Sequence, residues 1–115
     1  MESTVFNIVN ITGDRFCVEA NDGQKVFEMI RKALLEKRNV TLSFLNVEML
    51  TTAFLNTSIG QLYRDFTEEE IKENLKVENI SNSGLVSLKR VVDTAKLYYN
   101  DPEAMQRSIN DILGE

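Results

Sequence analysis

Hydrophobic residues recur along this chain with two spacings, every second residue in short segments and every third or fourth in longer ones. That pattern predicts β-strands alternating with α-helices. The first segment, Val5–Ile11, is rich in β-branched residues and precedes the turn-forming pair Gly13-Asp14. We therefore expect it to pair with a short strand at Phe16–Glu19 as an N-terminal hairpin.

The middle of the chain predicts two helices and the central strand. Asn21 or Asp22 can cap a helix that runs to Lys37. Val40–Leu45 carries no charged residue, which is typical of a central strand covered on both faces. A capping-box pattern, Thr67 to Glu70, predicts the start of a short polar helix.

The last part predicts one more strand, Lys76–Ile80, and a long helix that begins near Leu85. Its apolar residues recur at helical spacing as Leu85, Leu88, Val91, Val92, Ala95, Tyr98 and Tyr99. Pro102 suits the first position of a further helix over 102–113. Its narrow apolar seam, which could pack on this domain or on a second copy, consists of Met105, Ile109, Ile112 and Leu113.

This order of elements predicts an α/β fold. Strands that alternate with helices form a mostly parallel sheet, and the hairpin would add an antiparallel edge to give four strands. Neither a linker nor a repeat interrupts the chain, so residues 1–115 are expected to form a single domain, with helix 102–113 peripheral or involved in oligomerisation.

The helix at residues 51–66 poses the main functional question. At 100° per residue, one narrow arc predicted to face the sheet contains Leu55, Ile59, Leu62 and Phe66. The opposite side contains Ala53, Thr57, Gly60 and Arg64, and Phe54 falls well off the core arc. A glycine inside a helix lowers helix stability by about 1 kcal/mol relative to alanine, so we expect a structural or functional reason for Gly60.

Two interpretations of this helix remain open. Phe54 and Gly60 either pack under neighbouring elements or form a docking face, with Phe54 as the anchor and the small residues allowing close approach. Thr51 or Thr52 is either a simple N-cap or a residue that meets an anion or carries a phosphate.

The composition mainly serves to exclude classes of function. The chain has no histidine and no glycine-rich phosphate loop, which removes the usual nucleophile–histidine pairs and most zinc sites. A net charge of −5 disfavours nucleic acid as a partner. We expect no metal or cofactor, and an enzyme is disfavoured, although Asp14, Asp22 or Glu68–Glu70 could in principle hold a divalent ion.

The single cysteine, Cys17, cannot form an intrachain disulfide. The chain also carries no secretory h-region and no apolar run long enough to span a bilayer. These features predict a cytoplasmic protein.

The segment VTLSFLNVEMLTTAFLNTSIGQLY is the most specific element of a resemblance that runs from about Gly23 to Tyr99. Over these residues the chain resembles the STAS-like family of small bacterial proteins of unknown function. The family is similar in layout to the STAS domains of anti-sigma-factor antagonists, where a strand feeds a hydroxyl-bearing turn into a helix. That turn carries a serine that is phosphorylated by a partner kinase, and this kinase has a histidine-kinase-type ATP fold. The resemblance implies protein binding, and some STAS domains bind nucleotides.

Aligning the turn with the antagonists' Asp-Ser-Ser-Gly motif places Thr51 at the aspartate and Thr52 at the first serine. Ala53 falls on the phosphorylated serine and Phe54 on the glycine. Because alanine has no hydroxyl, the resemblance leaves Thr52 as the candidate phosphorylation site.

Our leading expectation is a non-enzymatic regulatory module. It would bind a protein partner, such as a histidine-kinase-like ATPase, through the N-terminus and outer face of helix 51–66, and a homodimer is compatible with this role. The residues expected to contact the partner are Thr51, Thr52, Ala53, Phe54, Thr57 and Gly60. The alternative is a small-ligand or nucleotide-binding domain that uses Asn46, Thr51 and Ser81–Gly84 at the carboxyl ends of the strands.

Overall fold

A computed structural model of the chain describes residues 3–100. The strands are β1 (Ser3–Asn7), β2 (Phe16–Cys17), β3 (Asn39–Ser43), β4 (Met49–Leu50) and β5 (Leu75–Glu78). The helices are α1 (Ile8–Thr12), α2 (Ala20–Leu35), α3 (Thr52–Leu55), α4 (Leu62–Asp65), α5 (Glu68–Asn74) and α6 (Asn82–Asn100). A π-helical turn, π1 (Asn56–Gly60), joins α3 to α4.

The main sheet is parallel and has three strands in the order β1-β3-β5. The uncharged strand β3 lies at its centre, as the sequence predicts. Phe6, Leu42 and Val77 are aligned across the three strands and belong to the core or pack against it. A second, two-residue parallel pairing joins β2 to β4, with Phe16 aligned to Met49.

The predicted sheet of four strands with an antiparallel edge is not found among the described residues. The predicted hairpin is wrong, because β1 pairs in parallel with β3 and β2 pairs in parallel with β4. The strand ends at Asn7, whose side chain accepts a hydrogen bond from the Asn10 amide and caps α1. Gly13 then ends α1 in the left-handed conformation, with φ of 74°. Local capping therefore overrides the β-branched composition of Val5–Ile11.

Helices cover one face of the sheet, whereas the described residues cover the other face only in part. The prediction that the central strand is covered on both faces is therefore only partly confirmed within the described residues: on the second face Ser43 is buried. Thr41 is only half buried on the second face, and its aligned neighbours Val5 and Lys76 are exposed.

The core lies between the sheet and the helices. From α2 it takes five residues that recur at helical spacing: Val26, Phe27, Ile30, Ala33 and Leu34. From α6 it takes Leu88 and Val91, with Val92 packed against it. The predicted capping box is confirmed, since Thr67 and Glu70 each accept a hydrogen bond from the other's backbone amide.

The helix of greatest interest is not a regular α-helix. Within π1 the Gln61 amide donates to the Asn56 carbonyl at 3.1 Å, an i→i+5 bond that adds one residue to the turn. The predicted inner arc is still largely confirmed, because Leu55, Ile59 and Leu62 are buried. The predicted helix 102–113 and its seam lie outside the described residues.

Candidate functional site

Thr51 is the N-cap of α3. Its hydroxyl accepts a hydrogen bond from the Phe54 amide at 3.2 Å and donates to the Val18 carbonyl at 3.1 Å. Its own amide donates to the Cys17 carbonyl. The side chain therefore fastens the start of the helix to the segment after β2, and its oxygen is already used within the fold.

Thr52 and Ala53, by contrast, are exposed at the first turn of α3. No hydrogen bond to the Thr52 hydroxyl is found within residues 3–100. Together with residues of π1 and α6, these two line a shallow groove of about 310 Å³. The other residues that line it are Asn56, Arg90, Val91 and Thr94. The exposed part of the predicted surface therefore continues onto α6.

Arg90 is the residue of this groove that sequence reasoning missed. It is exposed on α6 and forms no ion pair with any other described residue. A guanidinium next to a free hydroxyl is suited to a carboxylate or phosphate, because Arg can donate two parallel hydrogen bonds to such a group. More than 30 residues separate Thr52 from Arg90 along the chain, so only the packing of α6 beside α3 in the folded structure shows that Arg90 lines this groove.

Phe54 is not an exposed anchor, and that expectation is wrong. Its side chain is 0% exposed and lies in the core. The physical reason is the π turn: one extra residue rotates the part of a helix before the turn by about 100° relative to the part after it. With that rotation included, Phe54 falls on the inner arc, whereas a regular helical wheel places it outside that arc.

Gly60 and Thr57 also differ from the predicted outer face. Gly60 is buried, and a Cβ there would lie 3.4 Å from Cγ1 of Val91 on α6. Thr57 is half buried, and its hydroxyl donates to the Ala53 carbonyl at 2.8 Å. Gly60 thus packs under a neighbouring helix, which is the first of the two interpretations of this helix.

Gly23 of α2 is a second close-approach position, and no pattern in the sequence indicates it. A Cβ there would lie 2.8 Å from the Phe54 carbonyl oxygen and 3.0 Å from Cβ of Thr57. The absence of a side chain at Gly23 therefore allows α2 to lie against the α3–π1 backbone. The α3–π1 segment is flanked by α2 on one side and by α6 on the other, and its exposed residues are Thr52, Ala53 and Asn56.

A separate cavity of about 170 Å³ lies at the carboxyl ends of β3 and β5, beside the start of α6. Its polar lining consists of Glu48, Asn79, Ser81, Ser83 and Ser87. Ser81, Ser83 and Gly84 of the predicted ligand site are brought together here, whereas Asn46 and Thr51 do not line the cavity.

Three of the acidic candidates for an ion site have structural partners. Glu70 completes the capping box, Asp14 accepts a hydrogen bond from the Phe16 amide, and Asp22 lies 3.7 Å from Lys25. In the part of the chain that the structure describes, no cluster of three or more acidic, cysteine or histidine side chains could hold a metal ion.

Asp65 links two of the helices that surround the site. It accepts hydrogen bonds from Arg64 at 3.3 Å and from Arg31 of α2 at 3.1 Å. These bonds, led by the one from Arg64, hold the pKa of the Asp65 carboxyl below its ordinary value of 3.8. Asp65 therefore stays ionised and connects α4 to α2.

Over the described range, no helix combines the length and apolar character that crossing a bilayer requires.

A small parallel sheet covered by helices on one face, with hydroxyl-bearing helix starts beyond its strands, defines an α/β domain of STAS-like class. A family model described as "STAS-like domain of unknown function (DUF4325)" matches residues 22–85, more than half of the chain. The chain belongs to this family, which confirms the resemblance drawn from its residues. No curated protein and no solved structure matches it.

Proposed function

We propose that this protein is a non-enzymatic regulatory module that binds a protein partner through the first turn of α3 and the adjoining face of α6. A histidine-kinase-like ATPase is the partner we favour, by analogy with the antagonists that the family is similar to in layout. The observation that supports the proposal is the exposure of Thr52 and Ala53 in one groove with Arg90, which is unpaired among the described residues.

The proposed surface combines polar and apolar groups. Its polar side chains come from Thr52, Asn56, Arg90 and Thr94, while Val91 is buried and Ala53 adds little bulk. A partner carboxylate could bind Arg90. If Thr52 is phosphorylated, its phosphate would lie in the same groove as that guanidinium and could pair with it. The same groove would then distinguish the two states of the protein.

The test is affinity capture from the native host, with purified binding of whatever is recovered. Ala53→Arg places a large cation in the groove at an exposed position, so it should remove the partner while leaving the fold intact. Asn10→Arg adds the same side chain at an exposed position of α1 and should capture as wild type does. Recovery of a histidine-kinase-fold ATPase by wild type and Asn10→Arg, but not by Ala53→Arg, would support the proposal.

Equal recovery by all three proteins would contradict it. Gly60→Arg, which a regular helical wheel would suggest as the disrupting variant, is unsuitable, because the buried Gly60 lies against Val91 and the change would disturb packing instead of binding.

A second candidate function, small-ligand binding, is favoured by the polar cavity at the carboxyl ends of β3 and β5. Open α/β sheets bind ligands at this edge, and its hydroxyl and amide groups suit a small polar molecule or the polar part of a nucleotide. The cavity is smaller than the roughly 300–1,000 Å³ of typical drug-sized pockets, so a whole nucleotide would lie partly outside it.

A thermal-shift screen with nucleotides tests this candidate. A ligand that raises the melting temperature of wild type should lose its effect with Ser87→Leu, which fills the cavity from a half-buried position of α6. Ser58→Ala changes a buried serine away from the cavity and serves as the control. The absence of any shift would argue strongly against nucleotide binding.

A further inference from the structure

A mainly apolar groove of about 230 Å³ runs along one edge of the main sheet, between α5, β5 and α6. Aliphatic side chains from several elements form its floor: Ile59, Ile71, Leu75, Val77, Leu88 and Val92. Three of them, Leu75, Val77 and Val92, are only half buried. Among the described strands, β5 pairs only with β3, so its outer edge is open beside this groove. Proteins commonly cover such an edge with a helix or loop.

The rim of the groove is charged. Glu68 and Lys96 form an ion pair at 2.7 Å across it, whereas Lys72 has no ion-pair partner in the described part of the chain. Tyr63 lines the groove as a half-buried residue. The rim therefore leaves one cation, Lys72, available to an acidic neighbour.

The position of the chain at the end of α6 points to an occupant. Lys96 lines the groove, and the described part of α6 runs to Asn100, about one turn further on. The next residues are Asp101 and Pro102. Proline cannot continue a helix and disfavours the helical conformation of the residue before it, so the chain is expected to change direction here.

The length of the predicted helix 102–113 is compatible with the length of the groove. Along α6 the groove extends from Leu88 to Lys96, about 12 Å at the helical rise of 1.5 Å per residue. A helix over 102–113 would be about 18 Å long by the same measure, enough to run back along the whole groove. Its apolar residues recur on one side at helical spacing: Met105, Ile109, Ile112 and Leu113.

We propose that Asp101–Glu115 folds back along α6 of its own chain and covers this groove, so that its apolar seam packs on β5, α5 and α6. The segment contains four acidic residues and one basic residue, which complements Lys72 on the rim. Direct linkage to α6 gives the segment a high effective concentration at the groove, which favours its own chain over a second copy. This proposal is independent of the partner surface on α3.

Hydrogen exchange of the full-length chain tests the proposal. Ile109→Asp places a charge in the seam and should raise amide exchange in β5 and in the Leu88–Lys96 part of α6 while α2 stays unchanged. Asn110→Asp adds the same charge at the next residue, off the seam, and should leave exchange as in wild type. Should Ile109→Asp unfold the whole chain, Ile109→Ala is measured in the same way.

Mass in solution separates the two ways in which the seam could be covered. The proposal requires that the change in exchange appears in a monomer, or in a dimer whose mass does not change with Ile109→Asp. A dimer that becomes a monomer with Ile109→Asp would overturn it, because the seam would then hold two copies together. Unchanged exchange in β5 and α6 would also overturn it.

Discussion

At the scale of single residues, Gly23 of α2 and Gly60 of π1 both lie where two helical segments approach closely, yet a methyl group would meet different neighbours at each. At Gly23 it would come within 2.8 Å of a backbone carbonyl oxygen, that of Phe54, which cannot move without shifting the helix. At Gly60 the nearest atom, at 2.6 Å, is Oδ1 of the exposed Asn56 side chain, which can rotate away.

We therefore expect Gly23→Ala to lower the free energy of unfolding by about 1–3 kcal/mol through overpacking. Gly60→Ala should leave it unchanged or raise it by up to about 1 kcal/mol, since alanine is the better helix former. Urea denaturation of both variants checks the pair. Equal losses would mean that Asn56 cannot move and that π1 is as tightly enclosed as α2.

Phe54 gives a second prediction at this scale. Because its side chain is 0% exposed, Phe54→Ala should cost about 3–5 kcal/mol of unfolding free energy, the usual loss for a buried aromatic residue. Phe16→Ala, at a side chain that is 46% exposed, should cost far less. Urea denaturation checks both variants, and a small loss at Phe54 would restore it as a candidate surface anchor.

At the scale of elements, the two adjacent threonines at the start of α3 have separable roles. Thr51→Ala removes the N-cap and should lower the unfolding free energy by about 1 kcal/mol. Thr52→Ala removes an exposed hydroxyl that bonds to no described residue, so stability should stay within about 0.5 kcal/mol of wild type.

Melting temperatures of the two variants check this, and capture of the partner completes the comparison. A loss of binding with Thr52→Ala at unchanged stability would assign the hydroxyl to recognition. If instead the Thr52 variant melts earlier than the Thr51 variant, the cap has been assigned to the wrong threonine.

The hydrogen bonds that Asp65 accepts from Arg64, within α4, and from Arg31 of α2 give a pH dependence. Because the hydrogen bonds of Asp65 lower its folded pKa, the stability that they contribute is present above the unfolded carboxyl pKa and is lost as pH falls through the lower, folded value. Asp65→Asn should therefore flatten the acid side of the stability profile. Asp93→Asn, which removes a carboxylate from an exposed pair on α6, is the control with the same change of charge. Acid titration of unfolding free energy distinguishes them.

Elements with strong local signals were predictable from the sequence. The uncharged β3 strand, the capping box at Thr67 and the apolar face of α2 each depend on residues that lie close together in the chain. The π turn was not predictable, because an i→i+5 bond leaves no distinct residue pattern. The burial of Phe54 and Gly60 therefore stayed one of two open interpretations. The contribution of Arg90, which depends on the packing of α6 against α3, was missed.

At the scale of the whole molecule, the open question is whether the small β2–β4 pairing unfolds together with the main body. Cys17 of β2 is a natural probe, since it is 0% exposed and is the chain's only cysteine. Burial, with a smaller contribution from Asp14 and Asp22, raises the pKa of its thiol to about 11. Near pH 8 the folded thiol is therefore both enclosed and protonated, and reaction with a thiol reagent requires opening.

If the molecule opens as one unit, labelling of Cys17 should follow global stability. Gly23→Ala, which acts at the α2–π1 contact, should then raise the labelling rate by about tenfold for each 1.4 kcal/mol of lost stability. The hydrogen bonds from Thr51 to the carbonyls of Cys17 and Val18 are the physical reason to expect this coupling. Equal labelling rates in wild type and variant would show that β2 opens locally. Because Thr51 joins the start of α3 to the segment after β2, the start of α3 would then be the mobile part of the proposed surface.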